Sequence, residues 1–199
     1  RINIKYNNFD MMEVGYGINL RPLATMAEKV YADDPCKAFW PKTIEANKYD
    51  PVDEQLVAKM NKAISICQFK VEGQRIMAHP EYELENRLLL DKIDYEKGTI
   101  MLRDGEHELN DKNFPTIDPA DPYSLTDEER TMLEAIEPSF TKNDKLQAHI
   151  KFMFTHGSLY NIVNGNLLFH GCIPMNADGT FKEIELDGLK LSGKAFMDY

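Results

Sequence analysis

The scarce features of this sequence exclude the most. No apolar run approaches the roughly 20 residues needed to span a bilayer. The 199 residues contain no secretory-signal pattern. Cysteine is rare, with Cys36, Cys67 and Cys172 far apart, no Cys-x-x-Cys, and an odd count that makes a poor disulfide framework. A reducing, cytoplasmic setting is therefore expected. Positive charge is in deficit: 23 Lys and Arg stand against 33 Asp and Glu, a formal net charge of -10. Such a surface repels phosphate backbones and argues against a nucleic-acid binder. Glycine-rich phosphate cradles and a Gly-x-Ser-x-Gly nucleophile elbow are absent, and Gly15-Tyr16-Gly17 is only a weak fragment of such a loop. The carboxylates crowded between Asp104 and Glu137 lack the alternation of a calcium loop and are expected to form a solvated acidic surface.

What remains is an ordinary globular composition, 43% hydrophobic and 28% charged. The length suits one or two domains and the burial of a real core. Pro22 suits a first helical turn, with Leu23, Met26, Ala27 and Val30 behind it at helical spacing until Asp33-Asp34-Pro35. Asp53 is placed to cap a second helix carrying Leu56, Met60, Ile64 and Cys67, a pattern that can run past Gly73. His79-Pro80 opens a segment whose buried face would come from Leu84 and Leu88-Leu89-Leu90. Thr99–Leu102 reads as a strand, Asp104-Gly105 as a hairpin turn and Glu106–Leu109 as a polar edge strand. Residues Asn110–Tyr123, rich in Asp, Pro and Asn, read as an extended surface segment anchored by Phe114, Ile117 and Tyr123.

Thr126 and Glu129 form a capping box ahead of Met132, Leu133 and Ile136, and Pro138 is expected to stop that helix. The next helix starts near Asn143, turns Leu146, Ile150, Met153 and Phe154 inward, and ends at Gly157. The period then changes to that of strands. Ser158–Asn164, the turn Asn164-Gly165 and Leu167–His170 predict a hairpin, its second strand apolar enough to lie centrally in a sheet. Asp178-Gly179 and Asp187-Gly188 mark turns around a strand at Phe181–Leu186, and Gly193–Tyr199 reads as a short helix.

Four of the five histidines, His79, His107, His149 and His156, suit surface or packing roles. His170 differs, because it ends an apolar strand and Gly171 follows it. That is where α/β enzymes place ligands, although a core histidine fits the same position. Cys172 two residues on could join His170 on zinc, but two ligands do not make a site.

Several runs carry a resemblance when taken in order. They are Tyr6-Asn7-Asn8, Gly15–Leu23, Phe69-Lys70-Val71-Glu72-Gly73-Gln74, Arg87–Tyr95, Phe114–Pro119 and Asn164–Pro174. Together they resemble the class III fructose-1,6-bisphosphatases of bacteria, within the calcineurin-like metallophosphoesterases. The resemblance implies an α+β fold, predominantly helical with short antiparallel hairpins. Residues 1–140 would be a mostly helical insertion with a hairpin near 99–109. Residues 141–199 would supply a helix, a hairpin and a following strand to a two-sheet α/β sandwich.

It further implies hydrolysis of the 1-phosphate of fructose 1,6-bisphosphate, a step of gluconeogenesis, by a water activated between two manganese ions. His170 would be one metal ligand, by the match of Phe169-His170-Gly171 to a His-Gly that follows a hairpin strand in that superfamily. Asp-x-His, Gly-Asp-x-x-Asp-Arg-Gly, Gly-Asn-His and a final Gly-His do not occur here. The chain is therefore expected to be an internal piece of the enzyme, inactive alone, with catalytic and substrate-binding residues unassigned. A homo-oligomer is compatible with this. The competing expectation is a non-catalytic regulatory or oligomerisation module in which His170 is structural.

Overall fold

The computed structural model describes residues 1–41 and 53–199, and the chain divides into two units, Arg1–Asp144 and Lys145–Tyr199. The architecture is α+β, with helices and short antiparallel strand pairs. Among the described residues no helix is long and apolar enough to cross a membrane.

The first unit is organised by α3, Glu54–Ala78, a helix of 25 residues. Its start is local chemistry: the Asp53 carboxylate accepts from the Leu56 amide at 3.0 Å, satisfying one of the orphan donors of the first turn. Helix α2, Arg21–Val30, packs against it through Leu23, Met26 and Ala27, which meet Val57, Met60 and Ala63 in one apolar cluster. The short α1, Ile2–Lys5, adds Ile4 to that cluster, and α4, Asp127–Thr141, adds Met132 and Ile136. The capping box of α4 is present in both directions, Thr126 to the Glu129 amide and Glu129 to the Thr126 amide.

Three features of this unit depart from the expectations above. Residues 80–92 form successive 3-10 turns, and of the leucines expected to supply their buried face only Leu90 is buried. Pro138 lies inside α4 and does not stop it. Its missing N–H falls on the exposed side of the last turns, where water can satisfy the freed carbonyl. The hairpin of β2, Thr99–Leu102, and β3, Gly105–Glu108, turns at Arg103-Asp104, one residue earlier than expected. Gly105 opens the return strand at φ 130, so neither turn residue needs a positive φ. Two-residue β1, Ile93–Asp94, completes an antiparallel sheet in the order β1-β2-β3.

The second unit contains α5, Asp144–His156 (from Lys145 onward), hairpin β4–β5 (Tyr160–Val163 and Asn166–Phe169), hairpin β6–β7 (Ile184–Leu186 and Leu189–Leu191) and α6, Gly193–Asp198. Asn164 and Gly165 have φ of 51 and 76, the double positive φ that a two-residue hairpin turn needs. Two expectations fail here. Helix α5 has no buried residue, and Phe154, expected to face inward, is 85% exposed. Strand β5 has β4 as its single partner and is not central in any sheet among the described residues. A strand needs two flanking strands to be central, and none of these residues supplies the second.

Candidate functional site

His170 stands immediately after β5, where the hairpin register Tyr160↔Phe169 ends. The Asn164-Gly165 turn fixes that register, and the register sets where the histidine emerges. Its ring is exposed and has no hydrogen-bond partner among the described residues, so both nitrogens are open. Cys172 is exposed as well.

No third ligand joins them: among the described residues no group of three or more His, Cys, Asp or Glu could hold a metal ion. The residues present therefore do not by themselves fit a two-metal centre. Three of the other histidines take local roles. His79 Nδ1 lies 2.8 Å from Glu81 and its ring stacks on Tyr82, His107 Nε2 lies 3.0 Å from Asp104, and the His156 ring stacks on Phe152.

Two grooves stand out among the described residues. One of about 630 Å³ lies between α2 and α4, with Arg21 and Lys29 on one side and Asp127 and Glu128 on the other. The second lies in the other unit, between the end of α5, β4 and α6, and is lined by Phe152, Phe154, Leu159 and Ile162. His170 lines neither.

The densest polar chemistry lies along α3, and sequence reasoning missed it. Lys62 and Lys70 are fully buried. Lys62 Nζ donates to Asp34 Oδ2 at 2.5 Å and to both Asp111 oxygens at 2.8 and 2.9 Å. Lys70 Nζ donates to Glu129 Oε2 at 2.7 Å and to the Thr116 carbonyl at 2.5 Å. Lys59 reaches the Ala32 carbonyl at 2.9 Å. Burial raises the Asp34 carboxyl, but the Lys62 ammonium, the Cys36 amide and Asn113 outweigh it and hold it below the usual carboxylate range. Asp111 and Glu129 are thus not part of a solvated acidic surface. Burial also pushes the Cys36 and Cys67 thiols up to about 12 and raises the Tyr31 phenol further.

Lys70 and Thr116 belong to runs that carry the family resemblance, and those runs are bonded to one another further. Gln74 Nε2 donates to the Tyr123 carbonyl at 2.7 Å, and Glu72 pairs with Arg87. Tyr123 donates to Asp91 at 2.7 Å and accepts from the Leu90 amide at 3.2 Å. Tyr95 donates to the Leu90 carbonyl at 2.8 Å and meets Phe114 edge to face. The runs Phe69–Gln74, Arg87–Tyr95 and Phe114–Pro119 therefore form one clasp, with Ile66, Leu90, Ile117 and Tyr123 as its apolar centre. Their local role is to hold the extended 110–125 segment onto α3.

Comparison with known proteins agrees over the full length. Residues 1–199 match the family described as Firmicute fructose-1,6-bisphosphatase. The chain is 53% identical over 199 residues to a Clostridium novyi (strain NT) protein named fructose-1,6-bisphosphatase class 3. Proteins of the same name from Clostridium tetani (strain Massachusetts / E88) and Listeria monocytogenes serovar 1/2a (strain ATCC BAA-679 / EGD-e) are 52% and 48% identical over 198 residues. In each case all of this chain is covered but 30% of the relative. The chain thus spans less than a third of the length of these relatives. No solved structure matches it.

Proposed function

The chain belongs to the Firmicute fructose-1,6-bisphosphatase family, and from that premise we propose that it is part of an enzyme hydrolysing the 1-phosphate of fructose 1,6-bisphosphate. The products are fructose 6-phosphate and inorganic phosphate, and the setting is carbohydrate metabolism in the cytoplasm. The observation that carries this is identity near one half over every residue of the chain to proteins named for that activity.

Residues 141–199 belong, on this proposal, to the sandwich of a metallophosphoesterase core, and residues 1–140 are a helical insertion. His170 is one ligand of a manganese pair that activates the attacking water, and the other ligands come from outside these 199 residues. Its open ring at a strand end supports the assignment. A single imidazole cannot hold two metals, so the 199-residue chain alone is inactive.

The test is phosphate release from fructose 1,6-bisphosphate by the longer parent protein with manganese, as wild type and as His170→Ala. Loss of most of the rate in a folded variant supports both the activity and the ligand. An unimpaired variant makes His170 structural. A folded, metal-loaded but inactive wild type overturns the substrate and favours a regulatory or oligomerisation role for the helical region. Manganese-dependent release by the 199-residue chain would refute its inactivity.

A further inference from the structure

Tyr31, Thr116 and Glu129 come from three separate stretches of the first unit and are 1%, 7% and 0% exposed. Tyr31 follows α2, Thr116 lies in the extended 110–125 segment, and Glu129 stands in the first turn of α4. Lys70 of α3 joins two of them, because its Nζ donates both to the Thr116 carbonyl and to Glu129 Oε2. Burial does most to raise the Tyr31 phenol. After it, the Thr116 hydroxyl lowers the phenol and the Glu129 charge raises it, so both stand beside Tyr31. The three side chains therefore converge on one spot against α3.

Each of them has a polar atom left over there. Among the described residues, Tyr31 Oη, Thr116 Oγ1 and Glu129 Oε1 are buried and have no hydrogen-bond partner. The Thr116 hydroxyl is thus near the phenol without meeting it at hydrogen-bond geometry. Buried orphans are few in native proteins and costly, those on charged groups most of all. The chemistry of these three is complementary: two hydroxyls can donate, and one carboxylate oxygen can only accept.

We propose that this spot binds one internal water molecule, which accepts from the Tyr31 and Thr116 hydroxyls and donates to Glu129 Oε1. About three hydrogen bonds is the usual complement of a buried water. Charge selects water over a cation. The Lys70 ammonium already pairs with Glu129 at 2.7 Å, and a second positive ion beside it would be repelled without compensation. The phenol, raised by burial, stays protonated at neutral pH and can donate. The water also has a place in the larger packing. The Tyr31 ring lies under Lys62 Nζ, 5.1 Å from its centroid, and Lys62 and Lys70 are about two turns apart on α3. A water at the hydroxyl end of that ring joins the two lysine sites into one polar seam along α3. It ties the end of α2, the 110–125 segment and the start of α4 to that helix at a single point.

The first test is a crystal structure of the longer parent protein at a resolution that shows ordered water. One peak within about 3.2 Å of all three oxygens is expected. Tyr31 Oη bonded directly to Glu129 Oε1, with no peak between them, overturns the proposal. So does an anomalous signal at the spot after soaking in rubidium chloride, which would make the occupant a monovalent cation. The second test removes one hydroxyl at a time. Tyr31→Phe keeps the ring, and Thr116→Val keeps the shape. In each variant of the parent, amide hydrogen exchange of the α3 and α4 peptides that contain Lys70 and Glu129 is expected to speed up about fivefold. That factor corresponds to one ordinary hydrogen bond. Deleting a hydroxyl that truly lacks a partner relieves a penalty instead, so unchanged or slower exchange in either variant overturns the proposal. Neither measurement involves phosphate release, so the water site and the proposed activity stand or fall separately.

Discussion

Lys70 Nζ lies 2.7 Å from Glu129 Oε2, and both side chains are fully buried, 59 residues apart in sequence. Glu129 is also the reciprocal partner of Thr126 in the capping box, so one carboxylate oxygen serves the start of α4 and the middle of α3. Removing one ion of such a pair leaves the other buried without compensation, which costs about 3–5 kcal/mol. Lys70→Met is expected to destabilise the chain by that amount in urea unfolding. Lys70→Met combined with Glu129→Leu is expected to recover most of the loss, falling short by about 1 kcal/mol for the lost cap. A double variant no more stable than Lys70→Met would show that the lysine matters for packing and not for charge.

A close approach fixes the neighbouring turn of α3. A Cβ added to Gly73 would lie 2.1 Å from Tyr123 Cδ1, inside the aromatic ring's own volume. The ring would have to leave, taking with it the hydrogen bonds to Asp91 and from Leu90. Overpacking of this kind costs about 1–3 kcal/mol, and the lost bonds add about 1 kcal/mol each. Alanine's better helix propensity returns only about 1 kcal/mol. Gly73→Ala is therefore expected to lower Tm. The sign should reverse in a Tyr123→Ala background, where Gly73→Ala meets no ring and the propensity gain stands alone. No reversal in thermal unfolding would mean that the glycine serves backbone geometry.

What could be seen in the sequence was the chemistry that acts over a few residues. Asp53 caps α3, Thr126 and Glu129 form the box of α4, and Asn164-Gly165 turns the β4–β5 hairpin. Each depends on contacts within a turn of chain, which residue type and spacing encode. The buried lysines were invisible for the opposite reason. A lysine within a helical pattern reads as solvated unless its carboxylate is known, and the partners of Lys62 lie 28 and 49 residues away. Leu167-Leu168-Phe169 was legible as chemistry but not as position. The run states that a strand should be covered on both faces, and the described residues do not cover it. For His170 the turn and the strand that present it were legible, and partners for a metal are not among these residues.

Burial divides the three thiols. Cys36 and Cys67 are buried with thiols pushed up to about 12, so little thiolate forms at neutral pH, whereas Cys172 is exposed. Titration of the native 199-residue chain with a thiol reagent at pH 8 is expected to modify one cysteine quickly. All three should react in denaturant. Cys172→Ser should abolish the fast reaction. Rapid modification of two or three thiols in the folded chain would contradict the packing of α3 against α2.

Asp34 links the first unit to acid. Its carboxyl accepts from Lys62, the Cys36 amide and Asn113 at 2.5, 2.8 and 2.8 Å, and these hold it below its ordinary 3.8. A carboxyl depressed on folding contributes stability above its unfolded value and loses it as pH falls through its folded value. The contribution is therefore full at pH 7 and disappears below about pH 4, which is the unfolded carboxylate range. Asp34→Asn is expected to cost about 2 kcal/mol at pH 7, in the range for hydrogen bonds to charged groups. That is less than breaking the Lys70 pair, because Lys62 keeps Asp111. The variant's unfolding free energy should then converge on that of wild type as pH drops from 4 towards 2, in urea titrations at each pH. A gap that stays constant across that range would mean that Asp34 acts there as a neutral hydrogen-bonding group and not as a charge.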